Sequence, residues 1–146
     1  IIFMEVENFF YFIYNGSKRF TQQEVPTANA TGFGAAADDY MERGIDLNEQ
    51  LIRNKPATYF MRVNGNSMEN AGIGEGDIVI VDRSLKPVNG RIVIAVLDGE
   101  MLIRRYEQQL NRVRLIPDTG KLAPIEISEF HDYKIWGVVI YAIRKF

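Results

Sequence analysis

The chain has 146 residues, enough for one well-buried domain with an extension and too few for two typical ones. Apolar residues make up 47% and charged residues 25%, the balance of a soluble globular protein, and plentiful aromatics argue against wholesale disorder. Seventeen Lys and Arg against nineteen Asp and Glu leave a net charge of −2 with no long basic run, which argues against direct DNA binding as the main activity. The absence of cysteine excludes disulfides, cysteine nucleophiles and thiolate metal sites together.

In chain order, the opening "IIFMEVENFFYFIYNG" is the only stretch that suggests targeting. It carries Glu5 and Glu7, lacks a basic leading segment and shows no small-residue cleavage pattern, so it does not read as a signal peptide. It is also too short and too charged to span a bilayer, and the expectation is a soluble cytoplasmic protein with no membrane partner. The opening is suited to pair as a strand or to dock on a partner chain. The following "NGSKRFTQQEVPTANATGFGAAADD" is polar and rich in small residues, with little periodicity. Residues 1–38 therefore read as an N-terminal arm, mobile or loosely docked, and residues 39–146 as the folded body.

"IDLNEQLIRNKP" predicts a short helix, with Asp46 as N-cap, Glu49 three residues on and Pro56 past the end. From Thr58 the signals turn to β: "TYFMRV", "DIVIVD", "RIVIAVL", "EMLIRRYE", "RVRLIP" and "KIWGVVIYAI" are β-branched or aromatic runs divided by turn residues. Asp98-Gly99 suits the left-handed positions of a two-residue hairpin, which sets Leu97 opposite Glu100 and Arg104 opposite Val93. Leu102, Arg104 and Tyr106 then share one face. The unbroken apolar run of Ile92–Leu97 implies a strand covered on both sides, hence a mainly β fold with a folded-over or barrel-like core and one or two short helices.

Within "YFMRVNGNSMENAGIGEGDIVIVD", Ser67 has two readings. It either caps a helical turn, the commonest use of serine there, or is a nucleophile held out by a strand-to-turn bend whose unpaired N–H groups bind an oxyanion. Met68 reads as a core or pocket-lining side chain, and Asp77 and Asp82 as turn or strand-end residues. Gly72, Gly74 and Gly76 read as turns, since neither a helix nor Lys-Ser/Thr follows as a phosphate loop needs. Trp136 belongs to the core or a dimer surface. The single histidine, His131, has no partner histidine for a metal site or triad and suits a surface or strand-edge position. No cofactor or metal is expected.

The ordered spacing in "GNSMENAGIGEGDIVIVD" resembles the nucleophile segment of the LexA/UmuD family of self-cleaving serine peptidases. The resemblance runs from "GFGAAADDYMERGIDLNEQLI" through "ATYFMRVNGNSM" and "LDGEMLIRR" to "WGVVIYAI", roughly residues 32–143. It implies a core of the LexA C-terminal-domain type over 39–146. The short arm points to the UmuD branch, because about thirty residues cannot hold the helix-turn-helix domain of LexA repressors. The resemblance further implies Ser67 as nucleophile, the backbone N–H of Ser67 or Met68 as oxyanion donors, and a cut in the arm at Thr31-Gly32. Implied partners are a second copy in a homodimer, an activated RecA filament, and a Y-family translesion polymerase subunit of the UmuC type.

The chain departs from the family at two places. Thr31 stands where Ala or Cys is usual, and its β-branch crowds the carbonyl to be attacked. More seriously, the lysine that should accept the serine proton is replaced by Arg104, and a guanidinium has donors but no acceptor. Arg104 is then a natural loss, a replacement that freezes the uncut form, or a sign of another base; Lys86, in a turn, and Arg105 are poor substitutes. The expectation is an SOS-mutagenesis regulator whose self-cleavage is lost or blocked. The alternatives are a catalytically dead interaction module, a signal-peptidase-like enzyme acting on other proteins, and a fragment of a LexA-type repressor.

Overall fold

The computed structural model describes residues 6–13, 44 and 46–146, with residues 6–13 described as strand backbone. The chain divides into two compact units, Ile1–Tyr14 with Asn54–Phe146, and Asn15–Arg53. In the second, helix α1 spans Leu47–Leu51, and the Asp46 carboxylate accepts from the Asn48 N–H at 2.9 Å, the cap that the sequence predicts.

The first unit is an eight-stranded sheet built from β1 (Val6–Ile13), β2 (Thr58–Val63), β3 (Ile78–Asp82), β4 (Ile92–Leu97), β5 (Glu100–Gln109), β6 (Arg112–Ile116), β7 (Ile125–Glu126) and β8 (Tyr133–Ile143). Its order is β1-β2-β3-β8-β4-β5-β6-β7, and every pairing is antiparallel. The apolar opening thus pairs as a strand, with Val6 opposite Val63 and Ile13 opposite Tyr59. Two 3-10 turns, Lys55–Ala57 and Glu69–Ala71, complete the unit.

Alternation explains how the sheet buries both faces. Ile94 of β4 joins Met61, Val63, Val79, Val81, Ile103 and Val139 in one cluster, whereas its neighbours Val93 and Ala95 join Tyr106, Leu115 and Val138 on the other face. Three strands, β3, β8 and β4, lie between β2 and β5 in the sheet, yet Met61 and Ile103 share that first cluster, so the sheet folds over upon itself. The fold is mainly β with a folded-over core, as the continuous hydrophobicity of β4 predicts.

Strand β8 is irregular along both of its edges. Its register slips against β3 between Ile80 and Val81 and against β4 between Ile94 and Ala95, leaving Trp136 as the extra residue at the second slip. Such bulges bend a strand and sharpen its twist. Beside Trp136, a Cβ added at Gly137 would stand 2.5 Å from Val81 Cγ1. Trp136 is half-buried against the first cluster, edge-on to Tyr59 at 4.8 Å, with the Arg83 guanidinium 4.3 Å above its ring.

The turn at Asp98-Gly99 takes positive φ at both residues, 49° and 86°, and Leu97 faces Glu100 as its spacing requires. Its far side is tied down too. The Asp98 N–H donates to the Asp132 carbonyl at 2.7 Å and the Asp98 carboxylate accepts from the Asp132 N–H at 2.9 Å.

Candidate active site

The chain leaves β2 at Val63 and turns at Gly65, whose φ of 122° is one that a residue with a Cβ rarely adopts. Ser67 follows, then the 3-10 turn Glu69–Ala71, closed by Gly72 in the left-handed region. The N-cap of that turn is Met68, which makes no side-chain cap bond. The capping reading of Ser67 is therefore overturned. Its hydroxyl points across to β5 and donates to the Ile103 carbonyl at 3.3 Å, and the residue is 4% exposed.

The reason lies in the strand it meets. β4 covers β5 from Glu100 to Arg105, but β6 pairs only from Arg105 onward. Ser67 meets β5 at Ile103, just ahead of the stretch that β6 pairs. Arg104, opposite Val93 as the hairpin register requires, is 5% exposed, and its Nη1 donates to the same Ile103 carbonyl at 2.9 Å. Serine hydroxyl and guanidinium thus meet at one acceptor.

Met68 is buried in the first cluster, as expected, and its carbonyl accepts from Ala71 and Ile73. Among the described residues, no backbone carbonyl accepts from the Met68 N–H. The described lysines, Lys55, Lys86, Lys121, Lys134 and Lys145, are all exposed, so none offers a buried amine to Ser67. Arg105 is engaged elsewhere, with the Gly90 carbonyl at 2.8 Å and the Asp118 carboxylate at 3.0 Å. Thr31 and Gly32 lie outside the described residues.

Two braces hold the loop that carries Ser67, and neither was apparent from the sequence. The first is Asp118, between β6 and β7: its N–H donates to the Ser67 carbonyl at 2.8 Å, and its carbonyl accepts from the Asn70 N–H at 2.9 Å. The turn-rich "IPDTG" was the available signal, but nothing local ties it to residue 67. The second is Arg144, at the end of β8, which forms a two-pronged pair with buried Asp77 at 2.9 and 2.8 Å and reaches the Gly72 carbonyl. The Arg144 hydrogen bond holds the Asp77 carboxyl below its usual range, helped by the Gly74 N–H and opposed by burial.

Asp82 closes a turn at the end of β3, its Oδ1 accepting from the Ser84 N–H and hydroxyl. With Asp77 braced by Arg144, both aspartates are structural, as expected. His131 sits in the loop before β8, its Nδ1 accepting from the Ser128 N–H at 2.9 Å. Among the described residues no group of three or more His, Asp or Glu side chains is placed to hold a metal ion, and no helix is long and apolar enough to cross a membrane.

Comparison with known proteins places the chain in a family. Residues 24–140 match the Peptidase S24-like family. The chain belongs to that family. Protein ImpA of Salmonella typhimurium is 39% identical over 118 residues, covering 78% of this chain and 77% of ImpA. Protein SamA of Salmonella typhimurium strain LT2 is 39% identical over 114 residues, covering 78% and 79%. The LexA repressor of Bordetella pertussis is 33% identical over 115 residues, covering 79% of this chain but 53% of the repressor, so the chain spans about half of that protein's length. Membership of the LexA/UmuD-type S24 peptidases agrees with the resemblance carried by "GNSMENAGIGEGDIVIVD".

Proposed function

We propose that the chain is a UmuD-like regulator of SOS mutagenesis built on a serine self-peptidase site, in which Ser67 is the nucleophile and Arg104 occupies the position of the general base. The observation that supports this most directly is the meeting of two buried side chains, Ser67 and Arg104, at the Ile103 carbonyl. The similarity to ImpA and SamA over more than three quarters of each chain supports the UmuD-like reading.

In the chemistry of such a site, a neutral amine at position 104 takes the Ser67 proton as Oγ attacks the Thr31 carbonyl carbon. The Ser67 or Met68 N–H binds the oxyanion, the Gly32 amine leaves with the proton, and water then hydrolyses the ester. Arg104 interrupts the first step. A guanidinium offers only donors, so the serine proton stays on Oγ, shared with the Ile103 carbonyl. Self-cleavage at Thr31-Gly32 is lost or blocked, and the arm, residues 1–38, stays attached to the body, residues 39–146. The functional form is then a cytoplasmic homodimer that responds to an activated RecA filament and controls a Y-family polymerase subunit through the uncut arm.

The test is intact mass after prolonged incubation, alone and with an activated RecA filament. Arg104→Lys should be cut at Thr31-Gly32, while the unaltered chain and the Arg104→Lys/Ser67→Ala double variant stay whole. Cutting of the unaltered chain would refute the assignment of Arg104. A second reading, a binding module on a dead peptidase fold, draws support from Arg104 itself and from the exposure of every described lysine. It predicts that Arg104→Lys also stays whole while binding its partners.

A further inference from the structure

We infer that Asp118 and Arg105 form a positioning device that fixes the Ser67 turn relative to position 104; the inference rests on the reading of Ser67 and position 104 as the reacting pair. Asp118 grips the nucleophile turn from both sides of Met68. Its N–H holds the Ser67 carbonyl at 2.8 Å and its carbonyl holds the Asn70 N–H at 2.9 Å. Its carboxylate is held in turn by Arg105 Nη2 at 3.0 Å, and the other Arg105 arm is anchored on the Gly90 carbonyl at 2.8 Å.

Arg105 follows Arg104 directly in β5. A short chain of bonds therefore runs from the strand carrying position 104, through the Arg105 guanidinium and Asp118, to the backbone of the nucleophile. The next residues reinforce it: Thr119 Oγ1 donates to the Glu69 carboxylate at 2.7 Å, and Lys121 approaches that carboxylate at 3.7 Å.

Burial separates positioning from stability. The Arg105 and Asp118 side chains are 37% and 34% exposed, and a pair so open to water contributes little to folding. Reactivity between two groups is far more sensitive, since small displacements of reacting atoms cost large factors in rate. Loss of the pair should thus slow Ser67 while leaving the melting temperature almost unchanged.

The experiment uses full-length Arg104→Lys as parent and reads Ser67 labelling by a fluorophosphonate probe as a function of pH. Asp118→Asn and Arg105→Gln should each lower the limiting rate about tenfold or more. They should also move the midpoint of the pH profile, because the amine is no longer held in the same surroundings. The double variant should be no slower than the slower single, as expected of residues acting as a unit. Rates equal to the parent's, or a loss that only tracks melting temperature with an unmoved midpoint, would overturn the inference.

Should the Arg104→Lys parent prove inert, it is the reading of position 104 that fails. Amide exchange then decides on the positioning device in the unaltered chain. Asp118→Asn should speed exchange at Asn70 about tenfold or more relative to the amides of β4, and equal protection would overturn the inference.

Discussion

At Asp77 a single carboxylate receives three donors, two from Arg144 and one from the Gly74 N–H, all at 2.8–2.9 Å. An amide of the same shape cannot repeat this, because one of its ends presents N–H groups to donors. Asp77→Asn should therefore cost about 1.5–3 kcal/mol, read from urea midpoints. Asp82 is the informative contrast. Both of its bonds from Ser84 arrive at Oδ1, which asparagine retains, so Asp82→Asn should cost less than about 1 kcal/mol. Equal losses would show that burial, which the two residues share at 3% exposure, governs the cost instead. The same contrast shows the limit of reading single residues from sequence. Both aspartates are legible as turn residues from their neighbours, but the partner that makes one of them costly to change lies 67 residues away.

At the scale of elements, what was legible is what neighbours decide. Asp46 marks the start of α1, Asp98-Gly99 sets the hairpin and its register, and the apolar run of β4 announces burial on both faces. Illegible was the insertion of β8 between β3 and β4, since a late strand's choice of two earlier ones depends on shape and register rather than local composition. Gly137 is where that insertion leaves its trace. It pairs with Ile94 at the bulge, and a methyl group there would collide with Val81 Cγ1 in a core where Val81 is fully buried. Gly137→Ala should destabilise by about 1–3 kcal/mol, with a matching drop in thermal midpoint. Adding Val81→Ala should recover part of the loss by opening space for the new methyl. If the double variant is instead worse by the sum of both changes, the clash is not the cause.

For the whole molecule, two groups mark opposite ends of the pH range over which the body is most stable. Asp77 has its carboxyl depressed by Arg144, so its contribution is present above the ordinary carboxylate range and is lost as pH falls through the lowered folded value. At the other end, burial pushes the Tyr133 phenol up to about 12, with Tyr106 adding to the effect. Above about pH 10 the unfolded phenol ionises while the folded one does not, so stability falls with rising pH, levelling off near the folded value. The loss should show as a falling urea midpoint across that range. Tyr133→Phe should flatten this alkaline limb and remove the last step of phenolate absorbance, leaving the acid limb intact. This bears directly on the test of Arg104→Lys, because raising pH favours the neutral amine that self-cleavage requires. A rate that climbs with pH and then falls above about pH 10 would combine base activation with loss of the fold. In the Tyr133→Phe background the same rate should keep climbing further into the alkaline range, and an unmoved downturn would place its cause elsewhere.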